Sequence, residues 1–397
     1  MREGWREVTL GEVCKITKGS SPTLKTPPGQ YPLIVTGPTP SSSDEFQFDG
    51  EAVCVPLVSS TGHGHASLKR VHYASGQFAV ANIIAACLPH PSSGVNTPYL
   101  FHYLQHLKDD LIVTRMKGTA NVSLSISNLS HVPVALPPVN EQRRIVDLIA
   151  AVDDAIRTAE SEAMISTTLL NSVLDQFETA AFARVGTIAS ISSGASWAKA
   201  DVRSSMDGDV STVLTIANTK PDGSVAGEPT YVAGLTEKTG RLTPTSIVAI
   251  RTNGNHERIG NVYRVPEEYA GAAVSAFQLI IEPVEQADSA FLFWMLSRPS
   301  MQSRITAASS GSTGLGNIAA SKLREMSVPW PEKPEARVER AEVFQAHWAA
   351  AEAARATADS LKILRSNLLT VLLSGEHEIP ASYDELLNLD TERGTAA

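Results

Sequence analysis

Two stretches of the chain carry apolar or small residues at steps that alternate between four and three. The first runs through Ile145, Ile149, Val152, Ile156, Ala159, Ala163, Leu170, Val173 and Phe177, with Ser166 as its one polar break. The second runs through Phe344, Trp348, Ala351, Ala354, Ala358, Leu361, Leu364, Leu368 and Val371. A period of 3.5 predicts long helices with coiled-coil seams. Each helix follows a proline-rich stop and opens on an acidic turn, LPPVNEQRR at 136–144 and WPEKPEARVER at 330–340, which is a good helix start. Ser374-Gly375 closes the second as a C-cap. At roughly 40 residues each, the helices would be about 60 Å long. The Ala-rich centre of the second permits close approach, so the two are expected to pack on each other, antiparallel.

Outside these helices the pattern is of short strands punctuated by Pro, Gly, Ser and Thr. Strand-like runs are Ala52–Leu57, Gln77–Cys87, Thr212–Ile216, Ser246–Arg251 and Phe277–Ile281. Short helices are expected over Pro98–Leu107 and Ser289–Leu296. The loops between them are long and polar, which places function on loops carried by a scaffold.

The two non-helical stretches repeat each other. Gly11 falls on Gly186, Ile16 on Ile191 and Gly19 on Gly194, each 175 positions on. Leu100, Phe101 and Leu104 fall on Leu292, Phe293 and Leu296, 192 on, and NLSHVPVALP from Asn128 falls on KLREMSVPWP from Lys322, 194 on. The second copy therefore carries about 19 extra residues inside its globular part, and the period is far too long for a solenoid. The expected fold class is α+β: two similar mixed α/β domains, 1–137 and 181–331, joined by long helices at 138–180 and 332–375, with a tail at 376–397. Such a duplication suggests pseudo-twofold symmetry and a partner with two equivalent half-sites.

Composition narrows the class. The 397 residues are 43% hydrophobic and 19% charged, as in an ordinary globular protein. No apolar run of about 18 residues predicts a membrane span, and MREGWREVTL lacks a secretory apolar core, so the cytoplasm is expected. Cys14, Cys54 and Cys87 are odd in number and have no C-x-x-C spacing; they read as buried hydrophobes or free thiols, against a disulfide or zinc role. The net charge of −9 argues against strong nucleic-acid binding, but it is unevenly spread. Residues 1–137 carry +1 and 186–331 carry −1, whereas 138–178 and 332–397 carry −5 each. The repeated parts can still present a basic face, and would lean on a partner for phosphate contacts.

Three motifs invite catalytic readings. Asn96-Thr-Pro-Tyr99 resembles the Asn-Pro-Pro-Tyr with which amino-methyltransferases hold a flipped base, but Thr97 replaces a proline and no Gly-rich cofactor loop precedes it; a loop entering a helix is the better reading. Gly311-Ser-Thr-Gly-Leu-Gly316 lacks the Gly-Lys-Ser/Thr ending of a phosphate loop. His63 and His65 have the spacing of metal ligands without sequence-local partners, so a polar loop contacting phosphate or base edges is preferred. No metal is expected.

The order of these features resembles the specificity (S) subunit of Type I restriction-modification systems. It comprises an I-x-x-G opening, a Tyr99–Leu104 and a Phe291–Leu296 helix motif, Gly/Ser/Thr/Asn loops at 118–121 and 310–317, an L-x-x-h-x-V-P-x-P close, and a helix opening P-P-x-x-E-Q-R-R-I-V. The second junction has drifted: Arg337 aligns with Arg143 and the E-Q-R-R run is lost. The resemblance implies a non-catalytic subunit whose two target recognition domains each read one half of a bipartite site in double-stranded DNA. It implies helices that set the unread spacer and dock two methyltransferase (M) subunits, with Glu141, Gln142, Arg143 and Arg144 as docking residues. S-adenosylmethionine would sit in those partners and no cofactor in this chain; restriction (R) subunits can join. A self-contained methyltransferase or nuclease, and a recognition or assembly subunit of another phage-defence complex, remain as alternatives.

Base readers are drawn from residue types that pair with groove edges. In the first domain these are Lys18, Ser20, His63, His65, Lys69, Arg70, Lys117 and Asn121. In the second they are Trp197, Lys199, Asn218, Lys220, Arg251, Asn253, Asn255, His256, Arg258, Ser312 and Asn317. The run 251–258 is the richest.

Overall fold

Among the described residues fourteen glycines adopt positive φ, but two others fix the architecture by having no side chain at all. A Cβ on Gly19 would lie 2.2 Å from the Val80 carbonyl oxygen, and one on Gly194 would lie 2.2 Å from that of Ser275. Both residues end the first strand of a four-stranded sheet, where the backbone dives under a neighbouring turn. The computed structural model describes residues 4–384 except 24, 62–63, 221–222, 237–238 and 311–313. It is a mixed α/β fold that divides into two units, Met1–Ala159 with Ala356–Ala397, and Glu160–Arg355.

In the first unit one antiparallel sheet has the strand order Cys14–Lys18, Ile84–Pro89, Ala52–Pro56, His72–Ala74. A second has the order Ser41–Ser43, Tyr31–Ile34, Gln77–Val80, Phe48–Asp49, with a parallel pairing of Leu33 to Ala79. Arg6–Thr9 pairs with Pro133–Leu136. The central strands read as unbroken apolar runs because both faces are covered. Val53, Val55, Ala85 and Cys87 enter one core, while their alternating neighbours Ala52, Cys54, Ile84 and Ala86 enter another. The three cysteines are free and buried, and burial pushes the thiols of Cys14 and Cys54 up to about 12, so they stay inert.

The second unit has sheets ordered Ala189–Ser193, Gln278–Pro283, Ile247–Ile250, Val262–Arg264, and Val202–Arg203, Thr230–Ala233, Val210–Leu214, Ala273–Val274. The last two pair in parallel through Val213 and Ala273, and Phe182–Arg184 pairs with Ser327–Pro329. Again Ile247, Ala249, Leu279 and Ile281 serve one core and Val248, Ile250 and Ile280 the other. The expected strand Gln77–Cys87 is in fact two strands in different sheets, Gln77–Val80 and Ile84–Pro89. The chain turns between them because Ala81 N–H donates to the Ile34 carbonyl and Asn82 N–H to that of Ser21. The run Phe277–Ile281 begins one residue late, at Gln278, and leaves Phe277 outside the sheet.

The long helices are Val139–Gln176 and Pro334–Leu373. Within the first unit Ile145 and Ile149 join the core with Leu369, Leu372 and Leu373, and Arg365 Nη2 donates to Asp153 Oδ2 at 3.1 Å. Within the second, Arg355 Nη2 donates to Thr167 Oγ1 at 2.7 Å, and the rings of Phe177 and Phe344 meet edge-on at 5.9 Å. As one helix advances from Thr167 to Phe177 the other recedes from Arg355 to Phe344, so these halves run in opposite directions. The seam expected of the second helix needs correction. Trp348 is 38% and Leu364 46% exposed, whereas Ala341, Leu369 and Leu372 are buried. Arg365 takes the place beside Leu364, its guanidinium being satisfied by Asp153. The helix ends at Leu373 before Gly375, whose φ of +76° fits glycine as a C-cap.

Candidate nucleic-acid interface

Arg251 leaves the end of Ile247–Ile250 and ties three segments together. Its N–H donates to the Phe277 carbonyl at 2.8 Å. Its Nε donates to Asn317 Oδ1 and its Nη1 to Ser193 Oγ, both at 3.2 Å. Asn317 Oδ1 also accepts from Thr252 Oγ1 at 2.8 Å, and Thr252–Asn253 pairs with Gly316–Asn317. The loop then folds on itself: Asn253 Oδ1 accepts the Asn255 N–H at 2.8 Å, and Asn255 Oδ1 accepts that of Glu257 at 3.0 Å. His256 is exposed and lies over Gly316, where any Cβ would come within 2.8 Å of the ring. Arg251, Asn253, Asn255, His256 and Asn317 are thus brought together on one polar ridge.

The first unit builds its equivalent edge in the same place. Leu57 N–H donates to the Ile83 carbonyl at 2.8 Å, and both residues stand 194 positions before Arg251 and Phe277. Val58 bridges to Ser123 as Thr252 does to Asn317, and Lys117 bridges to Ser123 across a hairpin. A Cβ on Gly64 would lie 2.3 Å from the Thr119 carbonyl oxygen, so the loop carrying His65 presses on the hairpin carrying Lys117 and Asn121. Lys69 N–H donates to Ser60 Oγ at 3.1 Å. Gly19 N–H donates to the Ile84 carbonyl, which sets Lys18 and Ser20 beside the same turn. Lys18, Ser20, His65, Lys69, Lys117 and Asn121 are exposed and Arg70 half-buried. Burial, and Arg70 after it, push the His72 ring down. His63 and Ser312 lie outside the described residues.

Two sequence candidates turn inward, and a third spends part of its polar capacity on its own loop. Asn218 is buried, with Oδ1 accepting from Thr215 N–H and Oγ1 and Nδ2 donating to the carbonyls of Gly227 and Glu228; its polar capacity is spent inside the loop. Arg258 turns back to the Thr219 carbonyl and the Tyr263 hydroxyl. Lys220 Nζ donates to the Ala217 carbonyl at 2.6 Å. Trp197 is half-buried, packed on Val213, Val232 and Ala273, and Lys199 is exposed on a 3₁₀ turn. The residues that sequence missed are Ser193 and Thr252, small hydroxyl groups that orient Arg251 and Asn317, and Phe277, which is 52% exposed.

Two of the proposed docking residues are likewise committed inward. Glu141 accepts from Trp5 Nε1 at 3.2 Å and is buried. Gln142 is fully buried: Oε1 accepts the Asn96 N–H at 2.8 Å, and Nε2 donates to the carbonyls of Gly94 and Pro137. Arg144 is paired with Asp384, and Arg143 is exposed. In the second unit the corresponding task falls to Arg337, which binds the Pro331 carbonyl at 2.7 Å, so its counterpart is Gln142 and not Arg143. Asn96 and Tyr99 do not form a base-holding motif. Asn96 Oδ1 caps the Tyr99 N–H at 3.0 Å, and the buried Tyr99 hydroxyl donates to the Ala135 carbonyl at 2.7 Å. Among the described residues no three His, Cys, Asp or Glu side chains cluster as metal ligands, and no helix is long and apolar enough to cross a membrane.

Solved structures share the fold. The chain resembles the S subunit of a Type I restriction-modification system from M. genitalium, at TM-score 0.56 and 16% identity, over 93% of this chain and 96% of that one. It also resembles a chain solved in work on complex assembly and conformational transition of the type I R-M system, at TM-score 0.58 and 18% identity, over 94% and 98%. At these identities the likeness establishes the fold. No curated protein sequence matches the chain. Residues 2–165 match the family described as Type I restriction modification DNA specificity domain.

Proposed function

We propose that the chain is the DNA-recognition subunit of a Type I restriction-modification complex, with each globular part reading one half of a bipartite site. The observation that carries this reading is a match to a DNA specificity domain over residues 2–165, together with a second unit in which one four-stranded sheet follows the strand order of the first and the edge loops bridge at corresponding residues. On this reading the chain is internally duplicated. The shared glycines support it: a Cβ on Gly11 would lie 2.8 Å from Ser130 and one on Gly186 2.9 Å from Arg324, and both members of each pair stand at the sequence offsets of the repeat. The two readers present different side chains on one scaffold, which is what independent half-sites require.

The chain itself contributes positioning and recognition, not bond making. Methyltransferase subunits carrying S-adenosylmethionine would modify the DNA, and restriction subunits can join them; the setting is the cytoplasm. The long helices would set the unread spacer and hold the M subunits. Docking would use their outer faces, including Arg143 and the exposed Met164, Ile165 and Ile363. The test is an exchange of residues 1–137 for the corresponding part of a relative, followed by methylome sequencing of cells that express the assembled complex. One half of the modified sequence should change and the other persist. A change in both halves, or in neither, would refute modular reading.

A further inference from the structure

We infer that Phe277 reads the 5-methyl group of a thymine in the half-site of the second globular part; this rests on the proposed role of that part as a DNA reader. The backbone at this point is pinned on every side. Ala276 N–H donates to the Ala195 carbonyl at 2.7 Å, Gln278 N–H to Ser275 at 2.9 Å, and the Phe277 carbonyl accepts from Arg251 at 2.8 Å and Thr252 at 3.1 Å. The ring is nonetheless 52% exposed. A pinned backbone that leaves half of an aromatic residue in water preorganises an apolar contact.

The surroundings select its target. Phe277 borders a cavity of about 460 Å³ whose other walls include Trp197, Thr215, Ile216 and Ala276. Its carbonyl accepts the N–H of Arg251, whose guanidinium is aimed by Ser193 and Asn317. A forked Arg is suited to the guanine edge in the major groove, and the thymine methyl is the apolar group displayed on base edges in that same groove. An aromatic wedge would instead enter between base steps from the minor groove, away from the edge that such an Arg reads. The first unit has Ile83 and Leu57 at the equivalent positions, with Leu57 buried in the core. An aromatic residue joined through its backbone to an arginine therefore belongs to one reader, as a specificity element should.

The experiment uses the assembled complex and its own modified sequence, with binding measured on duplexes in which each thymine of the second half-site is replaced in turn by deoxyuridine. The wild type should lose about fourfold in affinity at one position, the worth of one buried methyl. Phe277→Ala should bind the thymine and uracil duplexes equally there, while its unfolding stays cooperative, so that the lost discrimination is read in folded protein. Tolerance of uracil at every position, an equal uracil penalty in both proteins, or a half-site without an A·T pair overturns the inference while leaving the DNA-reading role intact. Absence of any bipartite modified sequence removes that role and the inference together.

Discussion

Arg337 and Asp288 form a two-toothed ion pair inside the second unit, Nε to Oδ1 at 2.7 Å and Nη2 to Oδ2 at 3.0 Å, with side chains only 9% and 7% exposed. The guanidinium also lies 5.1 Å from the Trp330 ring centre and donates to the carbonyls of Pro331 and Glu332. It fastens the start of one long helix to the start of Ser289–Ser297. In the first unit the same joint is made without charge, by Gln142 and the Asn96 backbone.

Removing one partner of such a pair strands a buried charge. Arg337→Ala should cost about 3–5 kcal/mol, and Arg337→Lys should recover little because ammonium cannot reproduce the fork. The double change Arg337→Gln with Asp288→Asn imitates the neutral joint of the first unit and should be milder than Arg337→Gln alone. Urea unfolding of the four variants decides; equal losses for Arg337→Gln alone and for the double change would show that the carboxylate is not what the guanidinium neutralises.

Close approach makes a second prediction. Gly194→Ala forces a Cβ to 2.2 Å from one carbonyl oxygen and 2.4 Å from another. Backbone cannot yield as a side chain does, so the cost should exceed the roughly 1–3 kcal/mol of ordinary overpacking. Gly208→Ala meets nothing within 4 Å and bears only its positive φ of +83°, for about 1 kcal/mol. Comparable thermal midpoints for the two variants would contradict this account of the turn.

His102 gives a pH dependence with a definite sign. Burial first, and Arg365 second, push its ring down to about 4 from 6.5, with Asp153 opposing. Above pH 6.5 the ring is neutral folded or unfolded and contributes no slope. Between 6.5 and about 4 the unfolded chain takes up a proton that the folded one refuses, so stability falls as pH falls; below 4 this contribution levels off. His72 and His106 are also pushed down, so His102→Gln should reduce the slope of the urea midpoint against pH in that window, not abolish it. An unchanged slope would place the acid sensitivity elsewhere.

How far these features were legible in the sequence depended on whether their cause was local. Burial of Ile145, Ile149, Ile156 and Leu170 follows from a period any reader of the chain can count. In the second helix the same count slips, because alanines from Ala349 to Ala358 put small apolar residues on several faces at once. Nothing in the sequence shows that Arg365 has Asp153 to pair with. Asn218 and Arg258 look like base readers by type; what retires them is a set of carbonyls and hydroxyls brought near by folding. Gln142 in an E-Q-R-R run looks like a surface contact for the same reason. Phe277 failed in the opposite sense, since an aromatic before an apolar run reads as core until the strand is seen to begin one residue later.

The last prediction separates two arginines that sequence alone treats alike. Arg251 points to the polar ridge, where Ser193 and Asn317 hold its Nη1 and Nε without closing the far edge of the guanidinium. Arg258 faces inward to Thr219 and Tyr263. Arg251→Ala should leave the urea midpoint nearly unchanged, since a half-exposed arginine hydrogen-bonded to neutral groups contributes little to stability. It should weaken binding to the cognate duplex by about 1–3 kcal/mol and relax the preference at one base pair, if the contact is to a base edge. A phosphate contact would instead weaken all sequences alike and lower the salt dependence by about one counterion. Arg258→Ala should do the reverse: it leaves the Thr219 carbonyl without this donor and should lower the unfolding midpoint, with sequence preference retained in whatever protein remains folded. Asn317→Ala distinguishes orientation from contact, because it releases Arg251 and Thr252 together and should reproduce the loss of preference while Arg251 is still present. Binding titrations of the assembled complex at two salt concentrations, against cognate and single-mismatch duplexes, resolve these cases. Equal behaviour of the Arg251 and Arg258 variants would mean that the ridge at 251–258 is not where the second unit meets DNA.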